Sequence, residues 1–209
     1  MAKVKICGLK EEQHVQAAVE AGAAWLGFMF APSKRQISIE RASELAKLVP
    51  SHVKKVGVFV NPTAQEVQEA VETVGLDYVQ YHGNEEAAFI KQLGFPSIKA
   101  FSIRSYEDVE KASHYDVDYY LFDAPGTQFA GGSGHAFDWS LLEQLSISKS
   151  RVILAGGLNS GNVAQAIAQV EPYGVDVSSG VEKDGSKNSE LIRQFIHAAT
   201  SAENVEIRH

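Results

Sequence analysis

At 209 residues, 44% hydrophobic and 22% charged, the chain has the apolar content of one globular domain with a real core, which excludes intrinsic disorder. A formal net charge of −7 excludes the basic face needed to bind nucleic acid or a polybasic membrane surface, so the expected partner is a small molecule. The one cysteine, Cys7, cannot close an intramolecular disulfide, and no apolar leader or stretch near the ~20 residues of a membrane span is visible, so a reducing cytoplasm is the expected compartment.

Along the chain, short apolar runs alternate with segments of helical period. The runs predict strands at Lys3 to Cys7, Trp25 to Phe30, Lys54 to Val60, Tyr78 to Tyr81, Ser97 to Phe101, Tyr119 to Phe122, Arg151 to Leu154 and Val175 to Val177. Between them, apolar residues recur at i, i+3, i+4, i+7. The sets are Val15, Ala18, Val19, Gly22; Ala42, Leu45, Ala46, Val49; Val67, Ala70, Val71, Val74; Val163, Ala166, Ile167, Val170; and Ile192, Phe195, Ile196, Ala199. Asn61-Pro62 reads as an N-cap with proline at the first helical position, and Asn84 as a cap before the acidic turn Glu85-Glu86. Gly75 and Gly94 read as helix stops.

Eight such units at roughly 26 residues each predict an α/β fold, a single eight-stranded parallel (β/α)8 TIM barrel filling residues 1–209 as one domain. An open doubly wound sheet is disfavoured because the first turn reads Cys7-Gly8-Leu9-Lys10 and carries no G-x-G-x-x-G. Helix faces of a monomeric barrel and of a barrel dimer read alike, so no oligomeric partner is assigned.

Barrel active sites form where strands end, and the chemically versatile residues collect there. Gly156-Gly157 with Asn159 follow the seventh strand, and Ser178-Ser179-Gly180 follow the eighth. Either these glycines only serve turns, or the loops offer backbone N–H groups to a phosphate. Two such loops on adjacent late strands favour phosphate. Cys7 ends the first strand, with Lys5 on the same side of it; a cation there would favour the thiolate and make the sulfur a base. Asp123 follows the sixth strand. It either accepts backbone hydrogen bonds at the loop start or acts as a general acid, in which case a neighbouring thiolate and apolar walls would keep part of it protonated at working pH. An acid and a base facing across a phosphate-anchored sugar suit an isomerase.

The motifs Lys5-Ile6-Cys7-Gly8-Leu9, Gly57-Val58-Phe59-Val60-Asn61, Gln80-Tyr81-His82-Gly83, Leu154-Ala155-Gly156-Gly157-Leu158 and Val175 through Glu182 stand in a fixed order from end to end. With Gly27-Phe28 through Arg35, Phe122-Asp123 and Gly131-Gly132-Ser133-Gly134, they make the chain resemble the phosphoribosylanthranilate isomerases of tryptophan biosynthesis. That resemblance implies a cofactor-free and metal-free Amadori rearrangement of a small phosphorylated sugar-anthranilate, with Cys7 as base and Asp123 as acid. It also implies that Arg35, otherwise a solvated loop cation beside Lys34, meets the anthranilate carboxylate. Gly132 and Ser133 would belong to a loop that orders over the substrate. His82 is read as pocket lining, and Asp176 as a residue that tunes the pocket or holds its floor. Tyr81 departs from the leucine common in the family and, if buried, needs a partner for its phenol.

Three other readings compete. A histidine-pathway isomerase of the same chemistry would carry an aspartate where Cys7 stands. A lyase such as the tryptophan synthase α subunit would use carboxylates. A non-catalytic phosphosugar-binding or redox-sensing barrel would normally add a resolving cysteine, which the chain lacks.

Overall fold

The computed structural model describes residues 1–124, 138–142 and 145–201. Eight parallel strands close into a barrel in chain order, β1 (Lys3–Cys7), β2 (Trp25–Met29), β3 (Lys54–Phe59), β4 (Tyr78–Tyr81), β5 (Ser97–Ser102), β6 (Tyr119–Asp123), β7 (Val152–Leu154) and β8 (Gly174–Val177). Pairing of β8 with β1, in the register Lys3↔Gly174 through Ile6↔Val177, makes the closure. Helices α1 (Glu12–Glu20), α2 (Ile39–Ala46), α3 (Ala64–Val74), α4 (Ala87–Leu93), α5 (Tyr106–Ala112), α6 (Val163–Val170) and α7 (Ser189–Ser201) lie outside. Between β6 and β7 the described residues hold a 3₁₀ turn, Trp139–Leu142, where the expected eight-unit plan calls for a helix. The TIM barrel expected from the alternation is the observed fold.

Two apolar layers follow from the strand period of two. One set of side chains faces the helices, where Val67, Ala70, Ile167, Ile192 and Phe195 of the helical stripes are buried against it. Each such side chain removed from water contributes about 1.5–3 kcal/mol when large. The other set fills the barrel: Val56, Ile98, Leu121 and Ile153 lie inside, above an aromatic plug of Trp25, Tyr78, Tyr119 and Tyr173 at the end where the strands begin. The plug closes the bottom. Chemistry is left to the opposite end.

Several boundaries shift by one residue: β2 stops at Met29, β3 at Phe59, and β7 starts at Val152. The Asn61-Pro62 cap is corrected. Thr63 caps α3, in a capping box with Glu66, because its hydroxyl accepts from the Glu66 N–H while Glu66 reaches back to the Thr63 N–H. Asn61 instead adopts φ 48° and its side-chain oxygen accepts from the Asn84 N–H at 2.7 Å; Glu86, not Asn84, holds the cap position of α4. Gly75 and Gly94 end their helices in the left-handed conformation, as expected. Among the described residues no helix is long and apolar enough to cross a membrane.

Candidate active site

Strand alternation turns Cys7 at the end of β1 and Asp123 at the end of β6 toward the barrel interior. Cys7 is buried against Gly27 of β2. A Cβ on Gly27 would stand 2.9 Å from the Cys7 Sγ and 3.2 Å from the Lys5 Nζ, so the absent side chain is what lets thiol and ammonium share that patch. Lys5 is fully buried and donates to Asp176 Oδ1 at 3.0 Å, its cross-strand partner on β8. Burial pushes the ammonium down, but the Asp176 carboxylate and Cys7 hold it above the ordinary lysine value. On the thiol the balance is reversed. Burial, the largest influence, pushes it up, Lys5 pulls it down, Asp176 pushes it up again, and the net direction is up. Lys5 thus favours the thiolate as expected, but burial, with Asp176 beside the lysine, outweighs it and the thiol is raised.

Asp123 faces an imidazole. His82 Nε2 stands 3.3 Å from Asp123 Oδ2, and the other ring nitrogen lies 3.1 Å from Gln80 Nε2. The Gln80 amide holds the ring from behind and leaves Nε2 to Asp123. His82 thus stands against Asp123, and the apolar walls expected around the carboxyl are replaced on this side by a polar ring. The loop carrying His82 is itself locked. Glu85 is buried and accepts from the Asn61 and Gly83 N–H groups and from the Lys99 ammonium at 3.1 Å. A cleft of about 730 Å³ opens beside His82, lined among others by Phe101, Arg104 and Tyr115. Tyr81 does not shape it. Its ring points outward against Phe89, and among the described residues its buried hydroxyl has no hydrogen-bond partner.

Around the rim, the loops after β7 and β8 lie between β6 and β1, hence between Asp123 and Cys7. Gly156 and Gly157 have φ 84° and 68°, conformations that glycine alone adopts cheaply. A Cβ on Gly156 would also collide with the Ala124 backbone and stand 2.8 Å from Asp123 Oδ1. Gly180 is needed for close approach, since a Cβ there would run into the Leu158 carbonyl. Asn159 ties its own turn, with Oδ1 accepting from the Gly161 N–H and its N–H donating to Asn162 Oδ1, both at 2.8 Å. Ser178 donates to the Cys7 carbonyl at 3.2 Å, and Ser179 is exposed at the start of a 3₁₀ turn.

Arg35 reaches the rim over Gly8, whose φ is 80° and whose added Cβ would press on the Arg35 Cδ at 2.7 Å. Its guanidinium is not a free loop cation: Nε and Nη2 bond Glu182 at 2.5 and 3.0 Å. Glu182 lies on a short hairpin, β9 (Glu182–Lys183) and β10 (Ser186–Lys187), that sequence reading missed. The available signal was Asp184-Gly185, a two-residue turn with both φ positive. Gly132 and Ser133 lie outside the described residues. Among the described residues no group of three or more His, Cys, Asp or Glu side chains converges as a metal site.

Fold and site together define a (β/α)8 barrel with the titratable side chains of Cys7, His82 and Asp123 at its mouth. The family model for N-(5'-phosphoribosyl)anthranilate isomerase matches residues 4–198, and the chain belongs to that family. It is 50% identical over 200 residues to N-(5'-phosphoribosyl)anthranilate isomerase of Listeria welshimeri, covering 96% of this chain and 99% of the relative. It is also 50% identical over 196 residues to the enzyme of Streptococcus pneumoniae, covering 94% of each. Among solved structures, phosphoribosyl anthranilate isomerase of Thermotoga maritima superposes with a TM-score of 0.87 at 36% identity, over 96% of this chain and 100% of that one. A phosphoribosyl anthranilate isomerase crystallised with reduced 1-(o-carboxyphenylamino)-1-deoxyribulose 5-phosphate superposes with a TM-score of 0.84 at 36% identity, over the same shares.

Proposed function

We propose that the chain is a cytoplasmic isomerase that converts N-(5-phosphoribosyl)anthranilate to 1-(2-carboxyphenylamino)-1-deoxyribulose 5-phosphate in tryptophan biosynthesis. The observation that carries the residue assignment is the rim order. The glycine- and serine-rich loops after β7 and β8 lie between the strand that ends in Asp123 and the strand that ends in Cys7. A phosphate on Gly156, Gly157, Asn159, Ser178, Ser179 and Gly180 leaves the sugar between carboxyl and thiol.

Asp123 gives a proton to the furanose ring oxygen, the bond from that oxygen to C1 breaks, and the nitrogen lone pair forms the iminium ion. Cys7 then takes the proton from C2, the electrons neutralise the iminium, and tautomerisation of the enol yields the ketose. Burial keeps the resting sulfur protonated. The positive charge of the iminium, arriving beside it, favours the thiolate at the step that needs a base. His82 sits against the acid, Asp176 against Lys5, and Arg35 offers the outer edge of its fork to the anthranilate carboxylate. Closure over the substrate is assigned to the segment Gly131-Gly132-Ser133-Gly134 by family likeness.

The test is loss of anthranilate-type fluorescence when substrate generated in place meets wild type, Cys7→Ala and Asp123→Asn. Fast loss with wild type and a drop of about 10²–10⁴-fold in each folded variant is expected. A folded wild type without turnover would overturn the assignment and direct the same assay to the histidine-pathway substrate.

A further inference from the structure

Glu182 and Lys187 form, with Arg35 and Lys34, a cluster of ion pairs at the mouth. Glu182 Oε1 accepts from Arg35 Nε at 2.5 Å and from Lys187 Nζ at 2.8 Å; Oε2 accepts from Arg35 Nη2 at 3.0 Å and lies 3.2 Å from Lys34 Nζ. Three cations share one carboxylate, whose side chain is only 7% exposed. Burial alone would raise it, but the Arg35 and Lys187 hydrogen bonds bring it down to about 2.

Lys187 is buried as well, and its three N–H groups match three acceptors: Glu182 Oε1, the Ser178 carbonyl at 2.8 Å and the Ser178 Oγ at 3.2 Å. The hairpin explains why. Glu182 and Lys187 are directly opposed across β9 and β10, and the Asp184-Gly185 turn brings them together. A continuous chain of contacts therefore runs from Arg35 through Glu182 and Lys187 to Ser178, and from Ser178 to the Cys7 carbonyl.

We propose that Glu182 is a positioning residue that ties the two ends of the substrate site together: through Arg35 it sets the cation for the anthranilate carboxylate, and through Lys187 it sets the Ser178 loop for the phosphate. Glu182 takes the Nε side of the guanidinium. Among the described residues Arg35 Nη1 carries no hydrogen bond, which leaves the outer edge of the fork to a second carboxylate. The inference rests on the roles proposed above for Arg35 and the Ser178–Gly180 loop.

The test is a double-mutant cycle on kcat/KM with Arg35→Gln and Lys187→Met, run with Glu182 present and again in Glu182→Gln. Protection of each protein against heat by inorganic phosphate is read alongside. With Glu182 present, the two effects should be non-additive by about fivefold or more; in Glu182→Gln they should simply multiply. Phosphate protection should weaken in Lys187→Met and Glu182→Gln and persist in Arg35→Gln. Two effective single variants whose effects multiply even with Glu182 present would overturn the linkage while leaving both roles standing. An Arg35→Gln enzyme with unchanged KM would overturn the role of Arg35, and the linkage with it. Glu182→Gln/Lys187→Met removes both buried charges at once and keeps the comparison available if Glu182→Gln alone folds poorly. A Glu182 of merely structural importance would lower the melting temperature of every variant equally and leave the coupling unmoved.

Discussion

At Cys7 the deciding contest is between burial and a cation already engaged elsewhere. The thiol is raised because water is excluded from it and because Asp176 holds the Lys5 ammonium at 3.0 Å. Alkylation of Cys7, which requires the thiolate, should therefore have its midpoint above the ~8.5 of a free cysteine. In Asp176→Asn the midpoint should move to lower pH, because Lys5 is released to the sulfur; in Lys5→Met it should move higher. Iodoacetamide rates across pH read this directly, and one profile for all three proteins would reduce the pair to filler of the barrel floor. The sign for stability follows. A thiol raised in the fold contributes stability below its unfolded value and loses it as pH climbs through the folded one. Cys7, Asp123 and Arg35 were singled out by strand ends and family likeness, whereas Gly27, Gln80 and Glu182 entered only as members of motifs, without a role, and Lys187 not at all. The partner of Glu182, Arg35, stands 147 positions away in sequence.

Among the elements, the glycine loops after β7 and β8 decide whether the rim can take an anion. Gly180 has no room for a side chain, since its Cβ would meet the Leu158 carbonyl of the neighbouring loop. Gly180→Ala should push the two loops apart, with a loss of about a hundredfold in kcat/KM and weaker heat protection by inorganic phosphate. Unchanged phosphate protection in that variant would place the anion elsewhere. These loops were readable because glycine and serine cluster directly after apolar runs. The helix start after β3 was misread for the opposite reason. Asn61-Pro62 has the composition of a cap, but Asn61 is drawn to the Asn84 N–H in the next loop, leaving the cap to Thr63. Local preference lost to a tertiary hydrogen bond.

Across the molecule, the barrel stands on its aromatic plug and on buried charges that are paired. Lys99 on β5 is nearly inaccessible. It donates to Glu85 at 3.1 Å and to the carbonyls of Gly83 and Ala100, so it bolts the β4 loop to β5 and holds His82 over Asp123. Burial pushes its ammonium down, against the pull of Glu85. Lys99→Met would strand the Glu85 carboxylate and should cost about 3–5 kcal/mol in urea unfolding. Lys99→Met/Glu85→Gln should recover a large part of that loss. If Lys99→Met alone is as stable as wild type, Glu85 reaches water by another route and the bolt is unimportant.

The sequence by itself determined the barrel class and its eight strands, because the periods of 2 and 3.6 are local properties and eight apolar runs alternating with helical segments match the β/α barrel. The tertiary structure alone decided which charges meet. Lys5 is taken by Asp176, Arg35 by Glu182, and His82 stands against Asp123. An ion pair inside a barrel depends on register and burial between strands distant in the chain, and no local pattern of residue types encodes either.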